Sequence, residues 1–208
     1  DGTLSRVDPV PDNSGQFRRM PLVDGLLRPV DALVSNFNDD GANDYVVADF
    51  GRDSGSLTLH LGHSSGALDD VALLEEDGPL AVAQDGNIVI ALIAQENERI
   101  VRFSALGAQD QPEEHVLLTF PPSQGSSGLS VLDFDGDGLT DLLYTAGDNA
   151  DISPIFKPYH GVYLFLGLPD GGFRQALFWH LDGAYGAAAE DFDGDGDMDI
   201  AAVAYFSN

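Results

Sequence analysis

Cysteine is absent from this 208-residue chain, and basic residues are scarce. Without cysteine the protein can form no disulfide, no thiolate metal site, no thiol nucleophile and no covalent c-type haem attachment. Only 9 Lys and Arg oppose 35 Asp and Glu, which gives a formal net charge of −26. This charge argues against nucleic acid and anionic membrane surfaces as partners, and it predicts that the protein binds cations.

Long apolar runs are absent as well. No stretch approaches the roughly 20 residues that a membrane-spanning helix requires, so we expect no membrane span. The sequence starts at Asp1 without a signal-like segment, from which we expect a mature chain or a fragment. Hydrophobic residues nevertheless make up 43% of the chain, which is enough for a globular core.

Acidic residues, by contrast, are concentrated in three clusters with one nine-residue pattern. We call them loop 1 (residues 36–44), loop 2 (133–141) and loop 3 (191–199), and each reads D/N-x-D/N-x-D-G-x-x-D. Oxygen side chains at positions 1, 3, 5 and 9, with a glycine at position 6 for the sharp turn, can converge on one hard cation. The pattern predicts calcium, because magnesium prefers a smaller octahedron and zinc or copper prefers nitrogen or sulfur. The alternative is a set of acidic turns with solvated carboxylates, which does not explain why three clusters repeat both the glycine and the ninth-position oxygen ligand.

The loops differ from an EF-hand after their sixth position. An EF-hand has a bidentate glutamate at position 12 before a helix, whereas that position is Val47, Tyr144 or Ala202 here. Short apolar runs rich in strand formers follow each loop, so each loop should join two strands. Loop 1 has asparagine at positions 1 and 3, and its lower charge predicts weaker binding. We therefore expect two strong calcium sites and one weaker site.

The loops also mark an internal repeat with a period near fifty residues. Loops 2 and 3 start 58 residues apart, and loops 1 and 2 start 97 residues apart, which leaves room for a degenerate unit with a turn at residues 84–87. Four antiparallel strands per unit predict an all-β chain of β-propeller blades, with a β-sandwich as the alternative. The expected divisions of one incomplete domain, residues 1–208, are a partial outer strand (1–21), a blade (22–75), a degenerate blade (76–120), a blade (121–178) and a partial blade (179–208).

Three full and two partial blades would leave sheet edges exposed. We therefore expect the chain to be part of a larger protein, or its ends to pair with each other or with another chain, as in a homo-oligomer or larger assembly.

The residues from Val131 to Leu142, followed by the Gly161–Gly167 strand, resemble the FG-GAP repeat, whose bacterial versions are often labelled VCBS repeats. The resemblance implies a seven- or eight-bladed calcium-binding propeller of the kind found in integrin α-subunits and secreted bacterial proteins, and hence a secreted or cell-surface location. It also implies side-chain calcium ligands and backbone carbonyl ligands. In loop 2 these are Asp133, Asp135, Asp137 and Asp141, with the Leu139 carbonyl. In loop 3 they are Asp191, Asp193, Asp195 and Asp199, with the Asp197 carbonyl. In loop 1 they are Asn36, Asn38, Asp40 and Asp44, with the Ala42 carbonyl.

A long connection at residues 147–160 is a possible ligand-binding loop. Its candidate residues are Asp148, Asp151, Lys157, Tyr159 and His160. The alternative is a loop that packs over its blade, with His160 hydrogen-bonded at a strand start.

Three further patterns have weaker interpretations. The residues Gly62–Gly66 match G-x-S-x-G, but the position predicts a hairpin turn and not the strand-to-helix elbow that a hydrolase needs. The histidines at 60, 63, 115 and 180 have no metal-ligand spacing, so surface or strand-edge positions are expected. For Phe178, Trp179 and Tyr185 we expect packing between blades, with stacking on a sugar ring as the alternative.

We expect a non-catalytic, calcium-stabilised propeller of an exported protein that serves adhesion, protein or glycan interaction, or extracellular assembly. No catalytic residue and no cofactor other than calcium is expected under this interpretation. The competing interpretation is a polysaccharide lyase or hydrolase with Tyr159 and His160 as acid and base. A glycan-binding lectin is a third class.

Overall fold

The computed structural model describes residues 2–11, 15–51, 54–107, 111–148 and 157–206. Within these ranges the chain forms sixteen β-strands, one three-residue 3-10 turn at Gln95–Asn97 and no α-helix. No helix there is long and apolar enough to cross a membrane. In chain order the strands are β1 (Gly2–Pro9), β2 (Phe17–Leu26), β3 (Pro29–Ser35), β4 (Asp44–Asp49), β5 (Ser56–Gly62), β6 (Leu68–Leu74), β7 (Pro79–Asp85), β8 (Ile88–Ile93), β9 (Arg99–Ser104), β10 (Glu113–Thr119), β11 (Ser126–Leu132), β12 (Asp141–Ala146), β13 (Gly161–Gly167), β14 (Phe173–His180), β15 (Ala184–Glu190) and β16 (Asp199–Ala204).

The strands form three four-stranded antiparallel sheets, in which neighbours in sequence are neighbours in space. The first sheet is β3 to β6, the second β7 to β10 and the third β11 to β14. Two hairpins, β1–β2 and β15–β16, flank them in the chain. The predicted all-β class and the four-stranded antiparallel units are confirmed.

Two of the expected divisions, which were approximate, fall inside strands. The segment 1–21 contains two paired strands instead of one outer strand, and β2 continues to Leu26, past the division at residues 21 and 22. The outer strand β14 likewise runs to His180, past the division at 178 and 179. Both are edge strands of their sheets. Edge strands mix polar and apolar residues, so the sequence pattern does not show clearly where they end.

The middle strands of each sheet are the most buried. Every residue of β4 and of β12 is buried, whereas seven of the eight residues of β14 are exposed. Continuous apolar runs, such as Tyr45–Ala48, are typical of strands that are covered on both faces. The middle strands therefore require a neighbouring sheet on each side.

The second sheet supplies both of its faces to neighbouring sheets. Ala91 and Ile93 pack in one core with residues of the first sheet such as Val46, while Ile90 and Leu92 pack in a second core with residues of the third sheet. This alternation follows from the two-residue period of a strand. The three sheets are thus stacked face to face.

Hydrogen bonds between sheets fix the relative direction of their first strands. Asp31 and Ser35 of β3 accept from the Val82 N–H (2.9 Å) and the Gln84 amide (2.8 Å) of β7, so the two strands run the same way. Between β11 and β15, the Ser127 and Ser130 hydroxyls donate to main-chain carbonyls in the same order. The Thr140 hydroxyl of the β11–β12 connection donates to the Asp85 carboxylate at the end of β7. The loops between first and second strands therefore share one end of the stack, which we call the acidic end. The connections between second and third strands share the opposite end.

Candidate cation-binding loops

The three acidic loops fold in the same way. In each, the N–H of the fifth residue donates to the side chain of the third residue, at 3.1 Å in loop 1, 3.3 Å in loop 2 and 3.1 Å in loop 3. The N–H of the seventh residue donates to the carboxylate of the fifth, at 2.8, 2.8 and 2.9 Å. Short acidic side chains that bond to the backbone two residues later favour such turns. The sequence pattern therefore encodes a shared loop geometry as well as charge.

Two positions of each loop adopt left-handed backbone conformations. The sixth residue is always glycine, as the sequence requires, with φ of 83° at Gly138. The fourth residue is left-handed too: it is Gly136 in loop 2, Gly194 in loop 3 and Asp39 in loop 1, where φ is 57°. Residues other than glycine adopt this conformation at a cost, which is smallest for asparagine and aspartate. The sequence analysis missed this requirement, although the glycines at position 4 of loops 2 and 3 carry the signal.

The ninth aspartate has a structural role in loops 1 and 2. Asp44 and Asp141 are 0% and 1% exposed. In loop 2, one Asp141 oxygen accepts from the Phe134 N–H (2.7 Å) and the other from the Gly167 N–H (2.8 Å) at the end of β13. Asp44 makes the matching bonds with two backbone N–H groups. These carboxylates tie the start of the loop to the end of the third strand, and each oxygen keeps a second lone pair for another partner.

The third strand must end in glycine for this arrangement to fit. A Cβ atom on Gly167 would lie 2.5 Å from the Thr140 carbonyl oxygen, and one on Gly62 would lie 2.1 Å from the Asn43 carbonyl oxygen. The loop therefore rests directly on the backbone of the neighbouring strand.

Loops 2 and 3 bring carboxylates together. One oxygen from each of Asp133, Asp135 and Asp141, at positions 1, 3 and 9, lies within 4.8 Å of the others. In loop 3 the group with this spacing is Asp191, Asp193 and Asp195, at positions 1, 3 and 5. Asp137 and Asp199 lie outside these groups, although the sequence analysis placed them among the ligands. Like charges at such distances repel one another unless a counter-ion is present. A set of carboxylate oxygens without nitrogen or sulfur fits a hard divalent cation.

Loop 1 has a different donor set. The Asn38 side-chain amide donates to the Asp40 carboxylate at 3.2 Å, so the third and fifth side chains bond to each other. The side-chain oxygen of Asn36 accepts from the Asp40 N–H at 3.2 Å. This set of contacts does not match the carboxylate groups of the other two loops.

The 147–160 connection lies at the opposite end of the stack. The Lys157 ammonium and the Tyr159 hydroxyl both donate to the Ser123 carbonyl, at 3.3 and 3.4 Å. Asp148 is exposed, and Asp151 lies outside the described residues. The acidic loops and the residues of this connection are therefore separate features of the molecule.

His160 is 0% exposed, and neither ring nitrogen has a hydrogen-bond partner in the described part of the chain. Burial lowers the pKa of His160, and the nearby Lys157 ammonium lowers it further, because both disfavour the charged ring. An imidazole in this position does not contact solvent or a dissolved substrate.

A cleft of about 1150 Å³ crosses the three sheets at the opposite end. Arg28, Phe50, Glu98, Ser126 and Lys157 are among the residues that line it. The Glu98 carboxylate accepts from two backbone N–H groups and from the Ser126 hydroxyl, and thereby joins the second sheet to the third. In this structure Glu98 serves sheet packing, because its oxygens are engaged by the chain itself.

Several minor expectations have clear outcomes. The turn that contains Ser64 connects β5 and β6 as a hairpin, in which the His63 N–H donates to the Ala67 carbonyl. This agrees with the predicted hairpin turn and not with a hydrolase elbow. Trp179 and Tyr185 are 52% and 53% exposed, so neither packs between the sheets of this chain. His60 is buried and bonds Asp70 at 2.6 Å, which contradicts its predicted surface position.

Comparison with known families finds a match to part of the chain. Residues 133–202 match a family model described as an FG-GAP-like repeat. The FG-GAP-like segment contains loops 2 and 3, the strands β12 to β15 and part of β16, and loop 1 lies outside it. The match suggests a β-propeller-type protein. No curated protein matches the chain.

Proposed function

We propose that the chain is a non-catalytic, calcium-binding part of a seven- or eight-bladed β-propeller in an exported protein. The observation that carries the proposal is the recurrence of a group of three converging carboxylates in loops 2 and 3. The stacked four-stranded sheets, with first strands running in one direction, are the arrangement that propeller blades require.

Each of loops 2 and 3 would hold one calcium ion. The ligands in loop 2 would be Asp133, Asp135, Asp137 and Asp141, with the Leu139 carbonyl, and the ligands in loop 3 would be the five matching residues from Asp191 to Asp199. The bound ion would neutralise the repulsion between these carboxylates. The chain's own contribution is to hold the carboxylates in place through the backbone N–H bonds described above.

The role of such a part would be interaction, with other protein chains or glycans as partners. Exposed aromatic residues support this role: Trp179 and Tyr159 are 52% and 38% exposed on the third sheet and its adjoining connection. Aromatic rings with one open face suit both sugar rings and protein surfaces. A glycan array with the whole chain, compared with Trp179→Ala, would identify a saturable glycan partner.

The enzyme interpretation has less support. A general base must come within hydrogen-bond reach of the reacting proton, and the His160 ring is buried away from solvent. Tyr159 is accessible, and the titratable groups described beside it are the buried His160 and the Lys157 ammonium, which lies 5.7 Å from the centre of the Tyr159 ring.

Calcium titration of the chelator-treated chain tests the proposal. A calorimetric titration should show binding, and thermal unfolding should occur at a higher temperature with calcium than with chelator. At a calcium concentration 100 times the dissociation constant, each site should add about 2.7 kcal/mol to the free energy of unfolding. The double variant Asp135→Asn and Asp193→Asn should reduce both effects.

Asp24→Asn is the matched control, because it removes one exposed carboxylate outside the loops. It should leave calcium binding unchanged. Identical melting temperatures with calcium and with chelator would overturn the proposal.

A further inference from the structure

Loop 1 has the shape of loops 2 and 3 but satisfies its own polar groups. Its third and fifth side chains are joined by the bond from the Asn38 amide to the Asp40 carboxylate, at 3.2 Å. An aspartate at position 3 cannot make this bond unless it is protonated, because an ionised carboxylate has no donor. At position 3, loop 1 therefore has an amide N–H group that points to the Asp40 carboxylate, where loops 2 and 3 have the second oxygen of an aspartate.

The side-chain oxygens of Asn36 and Asn38 also fit a cation less well than those of the matching aspartates in loop 2. The side-chain oxygens of Asn36 and Asn38 both accept from the Asp40 N–H, at 3.2 and 3.1 Å, and an asparagine has no second oxygen. In loop 2, Asp133 and Asp135 each use one oxygen for the backbone, at 3.0 and 3.3 Å, and each retains the other oxygen. In loop 3 both oxygens of Asp191 accept from backbone N–H groups. What loops 2 and 3 share is a carboxylate at both the first and the third position, whereas loop 1 has one amide oxygen at each.

Charge repulsion, which a cation would relieve, is also small in loop 1. Of its three carboxylates, Asp40 and Asp44 occupy ligand positions, and Asp44 is bonded to two backbone N–H groups as Asp141 is in loop 2. Asp39 occupies position 4, outside the ligand pattern. Loops 2 and 3 have carboxylates at all four ligand positions, so loop 1 has two fewer. Its Asp40 carboxylate also accepts from the Asn38 amide and from the Ala42 N–H at 2.8 Å.

The second sheet has no such loop at all. Its first two strands are joined by Gly86 and Asn87 alone, because Asp85 and Ile88 form the last pair of the β7–β8 ladder. From β3 to β10, therefore, the acidic end contains one self-bonded loop and one short turn, whereas from β11 to β16 it contains two loops with converging carboxylates.

We propose that loop 1 takes no divalent cation, and that the cation dependence of the chain is confined to the part from β11 to β16. This inference rests on the proposed function, because it assigns the ions of that function to loops 2 and 3 only. It replaces the weak third site that the sequence pattern predicts. Removal of calcium would then loosen one part of the stack while the first and second sheets keep their turns.

Calcium titration of the whole chain by calorimetry tests the inference through its stoichiometry. The wild type should bind two ions, and the Asp133→Asn and Asp135→Asn double variant should bind one. The Asn36→Asp and Asn38→Asp double variant should bind three, because it removes the amide bridge and restores two carboxylates. Three ions in the wild type would overturn the inference and leave the proposed function intact, whereas no binding would overturn both.

Hydrogen exchange of the wild type provides a second measurement that needs no variant to fold. Calcium should slow exchange at least tenfold in peptides from β11 to β16 and change it less than twofold in peptides from β3 to β6. Equal protection of both regions would overturn the inference.

Discussion

The second and third sheets connect their first and second strands in two different ways. Both join a first and a second strand of antiparallel order, and both ladders have one irregularity near the start of the first strand. The second sheet uses two residues, Gly86 and Asn87, whereas the third sheet uses the eight residues from Asp133 to Thr140. Because the short turn suffices for the sheet, the long acidic loop must serve something other than strand pairing. The difference separates what the fold needs from what the proposed cation site adds.

The two connections also touch each other. The Thr140 hydroxyl of loop 2 donates to the Asp85 carboxylate, at the end of β7. The third sheet therefore uses its loop to contact the neighbouring turn, and this contact adds a further tie between the sheets at the acidic end.

The largest expected effect comes from Asp141→Ala, which should sharpen this comparison. The substitution leaves the part-buried N–H groups of Phe134 and Gly167 without their acceptor. Hydrogen bonds to a charged group contribute about 1.5 to 3 kcal/mol each. We expect a loss of about 3 kcal/mol or more in urea unfolding, with chelator present so that cation binding does not contribute. Asp85→Ala is the control in the second sheet, and it should cost about half as much, since it removes one bond to a carboxylate where Asp141→Ala removes two. Similar losses for both variants would contradict the structural role of the ninth aspartate.

Replacing loop 2 by the short turn of the second sheet should remove the difference between the two sheets. In this variant Gly-Asn-Ile replaces residues 133–141, so that the third sheet has the connection of the second. We expect an unchanged β-type circular dichroism spectrum and one calcium ion fewer by calorimetry. At saturating calcium the variant should lack about 2.7 kcal/mol of ligand-derived stability. Loss of the β-type spectrum would show that loop 2 is required for the fold itself.

Acid should affect the third sheet more than the second, because His160 is buried in the third. The folded protein lowers the pKa of His160, so below the unfolded value of about 6.5 the unfolded chain binds more protons. The contribution of the uncharged His160 to the free energy of unfolding should therefore be complete above about pH 6.5. It should decrease as the pH falls below that value. His160→Gln should flatten this dependence in urea unfolding between pH 5 and 7.5. His115→Gln, on the exposed strand β10 of the second sheet, should leave it unchanged, and an equal effect of both variants would refute the assignment.

The smallest expected effect is at the fourth position of loop 1. Asp39 is left-handed where loops 2 and 3 have glycine, and Asp39→Gly should raise the free energy of unfolding by about 0.5 kcal/mol, since the strain exceeds the entropy that glycine adds. The reciprocal Gly136→Asp should lower it by a similar amount. Thermal unfolding of both variants in chelator checks the pair, and stabilisation by Gly136→Asp would contradict this interpretation.

Much of the fold could be predicted because the repeat places its signals locally. The apolar runs after each acidic loop identified strands such as β4 and β12, and the glycine at position 6 identified the turn. The exposed strands were harder: β1 and β14 have mixed patterns, and their limits depend on pairing with strands elsewhere in the chain.

The sequence predicted which residues form the candidate site, but it did not predict the different roles of the individual aspartates. Nothing in the nine-residue pattern distinguishes Asp141, which is bonded to Gly167 in another strand, from Asp133, which is exposed. Likewise, the bond between Asn38 and Asp40 depends on the rotamers of two side chains. Both properties come from three-dimensional contacts that spacing alone does not specify.

The glycine that ends the third strand restricts how units of this kind can be recombined. In the N-terminal hairpin the corresponding residue is Pro9, which pairs with Phe17 as Gly167 pairs with Phe173. Proline has side-chain atoms where the acidic loop would rest, and it has no N–H to offer the ninth aspartate. The N-terminal hairpin therefore cannot stand in for β13 and β14 beside an acidic loop, and the hairpins of this chain are not interchangeable modules.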